Sequence, residues 1–175
     1  EDGGEMEMNL AVKDINGKGN IALLLGPMGS DAQIGRSAGY KKALASYPDI
    51  KVVFESSAEW DTARALSMVE NWLQAGKGIS AIVSQNDGMA MGALKAVQDA
   101  GLQDKIFVYG LDATPDALAS VKEGGLRATV SQSTAAQGRE ALKACVEIAN
   151  GKKLPAEILV DFTLITSENI LDFVK

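Results

Sequence analysis

Residues 81–94 read AIVSQNDGMAMGAL, a stretch that predicts a buried strand, a sharp turn and the start of a helix. The apolar run over 79–83 does not alternate with polar residues, as is typical of a strand covered on both faces of a sheet. Asp87 follows where a helix N-cap is expected, and apolar residues then recur at helical spacing until Gly101. The stretch therefore predicts one strand–helix unit of a parallel α/β sheet.

Three polar residues, Gln85, Asn86 and Asp87, follow the predicted strand directly. Open α/β sheets bind their ligands at the carboxyl ends of the strands, so this position favours a binding role. Asn86 offers both a donor and an acceptor, which suits a neutral hydroxylated ligand. The alternative is that all three residues only cap and close the turn, and their spacing alone leaves both interpretations open.

The same alternation of strand and helix runs along the rest of the chain. Strands are predicted at residues 21–25, 50–55, 79–83, 105–111, 127–131 and 158–165, with helices between them. The capping-box pair Ser30 and Gln33 begins one helix, and Thr114 followed by Pro115 begins another. The sequence therefore predicts an α/β fold with a doubly wound, mostly parallel sheet and helices on both faces.

Composition excludes several classes of protein. The 175 residues suffice for one domain, and a net charge of −6 argues against binding to nucleic acid or to an anionic membrane surface. The chain has no histidine, the commonest general base and transition-metal ligand, and its one cysteine excludes an intrachain disulfide. We therefore predict no catalytic residue, no metal and no cofactor. Cys145 falls on the apolar stripe of a helix and is predicted to be buried.

A distinctive polar or aromatic side chain follows each strand except the last. These residues are Arg36, Trp60, Asn86, Asp112 and Gln132. In a doubly wound sheet, such positions meet along one rim. A cation, a carboxylate, two amides and an indole suit a sugar or polyol, because planar polar groups fork onto vicinal hydroxyls and the indole face packs on C–H groups.

Each of these residues also has a structural explanation when taken alone. Trp60 could belong to the core, Asp112 could cap the following helix and Arg36 could be a surface cation. The inference therefore depends on their joint placement. The turn at 26–30 lacks the lysine of a P-loop and the third glycine of a dinucleotide-binding motif, so a phosphate site is disfavoured.

Four motifs carry a resemblance to a known family. They are GPMGS at 26–30 with Arg36, QNDGMAMGAL at 85–94, GLDATPD at 110–116 and ATVSQ at 128–132. In order and spacing they resemble the ribose-type family of periplasmic sugar-binding proteins, the solute receptors of ABC importers. The resemblance implies the type I periplasmic binding protein fold, with flavodoxin-like lobes, and a monosaccharide or polyol as the ligand. It places the sugar contacts of the family at Arg36, Trp60, Asn86, Asp112 and Gln132.

The resemblance also implies a domain organisation. Residues 1–175 correspond to the C-terminal lobe of a two-lobed receptor, and the N-terminal lobe is missing from this chain. The family places the segment 133–155 in that missing lobe. The apolar face of its helix, residues 136–149, should therefore dock on its own sheet or pair with a second chain as an exchanged homodimer.

The leading functional hypothesis is half of a solute-binding receptor that delivers its ligand to the membrane subunits of an ABC transporter. The resemblance implies a periplasmic or extracytoplasmic location, although this chain shows no signal peptide. One lobe alone is expected to bind weakly or not at all. The alternative is the effector-binding domain of a sugar-responsive transcriptional regulator, which would require a DNA-binding head upstream of Glu1. An enzyme on a flavodoxin-like sheet is a third class, which turnover assays with Asp112→Asn would test.

Overall fold

The computed structural model describes residues 1–174, and within them it confirms the predicted α/β architecture. The strands are β1 (Gly19–Leu25), β2 (Ile50–Ser57), β3 (Ile79–Ser84), β4 (Phe107–Leu111), β5 (Ala128–Ser131) and β6 (Thr163–Thr166). They form one sheet in the order β2-β1-β3-β4-β5-β6, in which the first five strands are parallel and β6 pairs antiparallel with β5. The helices are α1 (Asp2–Asp14), α2 (Asp31–Leu44), α3 (Thr62–Gln74), α4 (Asp87–Asp99), α5 (Pro115–Lys122) and α6 (Thr134–Ala149), and a 3-10 turn covers Ile170–Asp172.

Both faces of the sheet are buried at its central strands, which explains the continuous apolar runs in strands such as β1. Leu24 packs in the core cluster that includes Val69 of α3 and Val97 of α4. Its neighbours Leu23 and Leu25 point the opposite way, into the cluster that includes residues of α1 and α2. Successive side chains of a strand point to opposite faces, so a strand covered on both sides needs an apolar residue at every position.

Helices α1 and α2 pack closely at glycines. A Cβ atom added at Gly4 would lie 2.4 Å from the backbone oxygen of Arg36, and one added at Gly39 would lie 2.3 Å from the backbone oxygen of Glu1. Only residues without a side chain allow this approach. The packing fixes the backbone of α2 beside the carboxyl ends of the strands, where Arg36 belongs to its second turn.

Two predictions about the last third of the chain were wrong. The predicted strand at 158–165 is regular only from Thr163, where pairing with β5 begins. Cys145, predicted to be buried, is exposed because α6 buries none of its residues. Leu142 on the same helix is 71% exposed. The apolar face of α6 therefore does not dock on its own sheet in this structure.

Candidate functional site

The turn after β3 assigns different roles to its polar residues. Asn86, with extended backbone at φ −152°, is the N-cap of α4, and its Oδ1 accepts a hydrogen bond of 2.9 Å from the Met89 backbone N–H. The prediction that Asp87 caps this helix was therefore wrong. Asp87 is the first helical residue and is fully buried, and it accepts hydrogen bonds from the Thr129 hydroxyl at 2.7 Å and the Thr114 backbone N–H at 2.8 Å. It ties α4 to β5 and to the start of α5.

Gln85 also has a structural role. Its side chain is fully buried, and its Oε1 accepts a hydrogen bond of 2.9 Å from the Gly26 backbone N–H. Its Nε2 donates to the Gln33 backbone oxygen at 3.2 Å and to the Ser37 hydroxyl at 2.9 Å. Gln85 therefore holds the turn after β1 against α2. For Gln85 and Asp87, closing the turns is the correct interpretation.

The indole ring of Trp60 packs against the turn that follows β1. A Cβ atom added at Gly26 would fall 2.0 Å from the indole ring, so only glycine leaves room for this packing. The guanidinium carbon of Arg36 lies 5.5 Å from the centroid of the same ring, a cation–π distance. The backbone of Trp60 has φ +62°, a conformation that residues other than glycine rarely adopt. The backbone is thus strained where the indole is presented, as functional sites often are.

Arg36 links the indole to the next two strands. Its Nη1 donates a hydrogen bond to the backbone oxygen of Gln85, and its Nη2 lies 3.7 Å from Oδ1 of Asp112. Gln132 donates a hydrogen bond from its Nε2 to the same Asp112 oxygen. The side chains of Arg36 and Asp112 are 12% and 29% exposed, so this ion pair is only partly screened by water. Four of the five predicted residues thus form one line of contacts.

Opposing interactions act on the pKa of the Asp112 carboxyl group. Partial burial raises the pKa of its carboxyl above the ordinary value, the nearby Arg36 charge lowers it and the Asp87 charge raises it. Its backbone has φ +141°, a second strained position on the rim. Asp112 is not the N-cap of α5. Thr114 caps that helix, and its hydroxyl oxygen accepts a hydrogen bond from the Ala117 backbone N–H. Its carboxylate therefore faces Arg36 and Gln132 at the rim instead of the end of α5.

Asn86, the fifth predicted residue, lies on the same edge but outside this line of contacts. A Cβ atom added at Gly88 would lie 3.4 Å from Asn86 Nδ2 and 3.7 Å from the backbone oxygen of Trp60, so both residues lie close to Gly88. Within residues 1–174, Asn86 Nδ2 donates no hydrogen bond, although the side chain is half-buried. An amide donor therefore remains available near the backbone of Trp60.

The rim is an open shelf rather than a closed cavity. The only cavity described next to Arg36 and Gln132 measures about 130 Å³ and also touches Leu111 and Phe162. The largest described groove, about 500 Å³, lies elsewhere, along α6. Among the described residues, no group of three or more His, Cys, Asp or Glu could hold a metal ion. Nor is any helix in 1–174 long and apolar enough to cross a membrane.

One buried acidic residue near Arg36 was not predicted from the sequence. Glu7 of α1 is fully buried and hydrogen-bonded to Tyr40 of α2. The available signal was helical spacing, since Glu7 shares one face of α1 with the buried residues Gly4 and Ala11. A carboxyl group on the buried face of a helix is rare enough to call for an explanation.

Comparison with known proteins identifies the family. Residues 1–153 match the family described as "Periplasmic binding protein domain". This match covers most of the chain, and the chain belongs to that family. The resemblance to ribose-type periplasmic sugar-binding proteins is thereby confirmed.

Individual relatives are named as sugar or polyol receptors. The chain is 33% identical over 168 residues to the xylitol-binding protein of Mycolicibacterium smegmatis, covering 95% of this chain and 48% of that protein. It is 36% identical over 150 residues to the D-allose-binding periplasmic protein of Escherichia coli, covering 85% of this chain and 48% of that protein. A solved periplasmic solute-binding protein of an ABC transporter from Actinobacillus succinogenes, with bound D-allose, matches with a TM-score of 0.94 and 37% identity, covering 97% of this chain and 60% of that one. The chain spans about half the length of the curated relatives it matches. These relatives are named as binding proteins, not as enzymes.

Proposed function

We propose that this chain supplies one wall of the binding cleft of a monosaccharide or polyol receptor that serves an ABC importer. The observation that carries the proposal is the unbroken line of contacts from Trp60 through Arg36 and Asp112 to Gln132. Xylitol and D-allose, the ligands in the relatives' names, are neutral polyhydroxy compounds. A rim with one cation, one carboxylate and amides matches that chemistry.

Each residue of the rim would make a distinct contact with such a ligand. The Asp112 carboxylate can accept from two neighbouring hydroxyls, and Arg36 can donate to a hydroxyl oxygen beside them. Asn86 would donate from its unused Nδ2. The indole of Trp60 would pack against the C–H face of the ligand. Gln132 would hold Asp112 in place through its hydrogen bond.

The open shape of the shelf supports a second wall in the working receptor. Small ligands are bound tightly when most of their surface is buried, which one shelf does not achieve. We infer that residues 1–175 correspond to the C-terminal lobe and that an N-terminal lobe provides the opposite wall. In this arrangement the segment 133–155 packs on that N-terminal lobe. The receptor would work in the periplasm and deliver its ligand to the transporter's membrane subunits.

The isolated chain should bind its ligand weakly, with millimolar affinity at best, because half of the contacts are missing. Amide and indole NMR signals recorded during titration with D-allose, xylitol and myo-inositol would test this. The expected changes are confined to Trp60, Asn86, Asp112, Gln132 and their neighbours. Ligand-induced changes that appear elsewhere and leave these residues unaffected would refute the site.

A matched pair of variants separates binding from folding. Asn86→Ser keeps an oxygen that can cap α4 but removes the amide donor, so it should weaken binding several-fold with little loss of stability. Asn71→Ser is the control, because Asn71 is exposed on α3 and bonds only to the Ser67 backbone oxygen among the described residues. Micromolar binding by the unaltered chain would contradict the half-site.

A further inference from the structure

The buried carboxyl group of Glu7 is unusual for its lack of partners. Its Oε2 accepts a hydrogen bond of 2.7 Å from the Tyr40 hydroxyl. Its Oε1 is buried and has no hydrogen-bond partner among residues 1–174. Buried polar atoms are nearly always paired, because leaving one unpaired is unfavourable. A residue that keeps such an atom therefore calls for a functional reason.

Glu7 lies near Arg36, the cation of the candidate site. Gly4, one turn earlier on α1, packs against the backbone of Arg36. Tyr40, which bonds Glu7, lies one turn after Arg36 on α2. Residues four apart share one face of a helix, so Tyr40 holds the Glu7 carboxyl on the same face of α2 as Arg36. The Arg36 charge lies close enough to both Glu7 and Asp112 to lower the pKa of each carboxyl.

The charged and titratable groups around Glu7 come from several elements. Tyr40 and Arg36 face it from α2, Asp87 from α4 and Tyr109 from β4. Burial raises the pKa of Glu7 to about 8, the Tyr40 hydrogen bond and the Arg36 charge oppose that rise, and the Asp87 charge adds to it. Burial also raises the pKa of Tyr40 well above its ordinary value. At neutral pH, Glu7 is therefore uncharged and does not compete for Arg36.

We propose that Glu7 is a positioning residue for Arg36: neutral Glu7 leaves the guanidinium in contact with Asp112 and Trp60, and ionised Glu7 attracts the guanidinium and loosens those contacts. One guanidinium cannot lie close to two separate carboxylates at once, and its attraction to each of them falls with distance. The consequence for ligand affinity, a loss at alkaline pH, rests on the proposed sugar-binding function. The movement of Arg36 itself does not.

The test uses the fluorescence of Trp60, because the Arg36 guanidinium lies over its ring. The chain has two tryptophans, and the other, Trp72, stacks on Phe54. Trp72→Phe leaves an aromatic ring in that stack and makes Trp60 the single reporter. In this background the emission of Trp60 should change with a midpoint near pH 8. Adding Glu7→Gln, which cannot ionise, should abolish the change.

A second variant keeps the proposal testable if Glu7→Gln does not fold. Tyr40→Phe removes the hydrogen bond that favours the ionised carboxyl, so the midpoint should move to higher pH. Circular dichroism at each pH checks that the variants remain folded. An emission change that persists in Glu7→Gln, a midpoint unmoved in Tyr40→Phe, or an unchanged emission from about pH 6 to about pH 10 would overturn the proposal. No sugar is present, so failure here differs from failure of the receptor assignment.

Discussion

The turn after β3 shows what neighbouring residues can and cannot reveal at the residue scale. Asn and Asp are equally good N-caps, so the pair Asn86-Asp87 predicts a cap without saying which residue provides it. The choice is made by distant partners, because Thr129 and Thr114 draw Asp87 inward and leave Asn86 at the helix end. The residue predicted to face a ligand is thus the one that also caps α4.

Gly26 determines where the indole of Trp60 can lie. In Gly26→Ala the new methyl group would lie 2.0 Å from the indole ring, which is too close, so the ring would have to move away from the turn. We expect the emission of Trp60 in the Trp72→Phe background to move to longer wavelength, and the ligand-induced NMR changes to disappear. Equilibrium unfolding should show a loss of a few kcal/mol at most, as for an overpacked site.

The control for this substitution is Gly138→Ala on α6. An added Cβ atom there has no neighbour within 4 Å, and alanine is the better helix former. This variant should keep the emission and the NMR response unchanged. If Gly26→Ala behaves like the control, the indole is not held by that glycine.

At the scale of elements, local signals predicted what local interactions build. Ser30 and Thr114 each cap a helix through a side-chain oxygen, as predicted. The strand at 158–165 was overextended, because an apolar run does not reveal where a partner strand begins. The prediction that Cys145 is buried was also wrong, because an apolar stripe on a helix is buried only where another element covers it. Long-range pairing, absent from any local window, decides both cases.

Helix α1 is fixed to the opposite end of the sheet by Asp14. Its carboxylate accepts hydrogen bonds from Arg127 Nε at 2.7 Å and from the Tyr109 hydroxyl at 2.8 Å. Partial burial by itself would raise the pKa of Asp14, but these hydrogen bonds and the Arg127 charge outweigh it and hold the pKa below the ordinary value of 3.8. The ionised carboxylate is therefore the form that stabilises the fold.

The pH dependence of Asp14→Asn follows from this sign. A carboxyl with a lowered folded-state pKa contributes stability above its unfolded pKa, and that contribution is lost as pH falls through the folded pKa. Asp14→Asn should therefore be less stable than the parent by about 1–3 kcal/mol at pH 7, by urea unfolding. The difference should shrink as pH falls below about 4. Asp104→Asn, at an exposed loop position, is the control and should stay within about 0.5 kcal/mol of the parent at every pH. A constant difference for Asp14→Asn across the whole pH range would contradict the assignment.

At the scale of the whole molecule, two incomplete surfaces begin at the same edge. The shelf ends at Gln132, whose backbone oxygen accepts a hydrogen bond from Gln137 of α6. Helix α6 therefore leaves the sheet from the rim itself, and its apolar residues remain exposed. One body placed over this edge could both close the cleft and cover α6. That geometry agrees with the proposed N-terminal lobe.

The same exposed helix predicts how the 175-residue chain behaves by itself. Leu142 and Val146 lie one turn apart on α6 and are 71% and 60% exposed, and burying each is worth about 1.5–3 kcal/mol. We propose that the chain pairs through this helix as a homodimer, since two such faces can cover each other. Sedimentation velocity over a range of concentrations should show reversible association.

Replacing both residues with aspartate should make the chain monomeric. Its unfolding midpoint should match that of the parent at protein concentrations low enough to keep the parent monomeric, because the structure buries no residue of α6. Leu171→Asp provides a control, since Leu171 is 75% exposed but lies on the C-terminal 3-10 turn. This control should associate like the parent, which separates pairing through α6 from a general effect of removing an exposed apolar side chain. A parent chain that stays monomeric at every concentration, with fast hydrogen exchange along α6, would show that the helix stays uncovered until another lobe binds it.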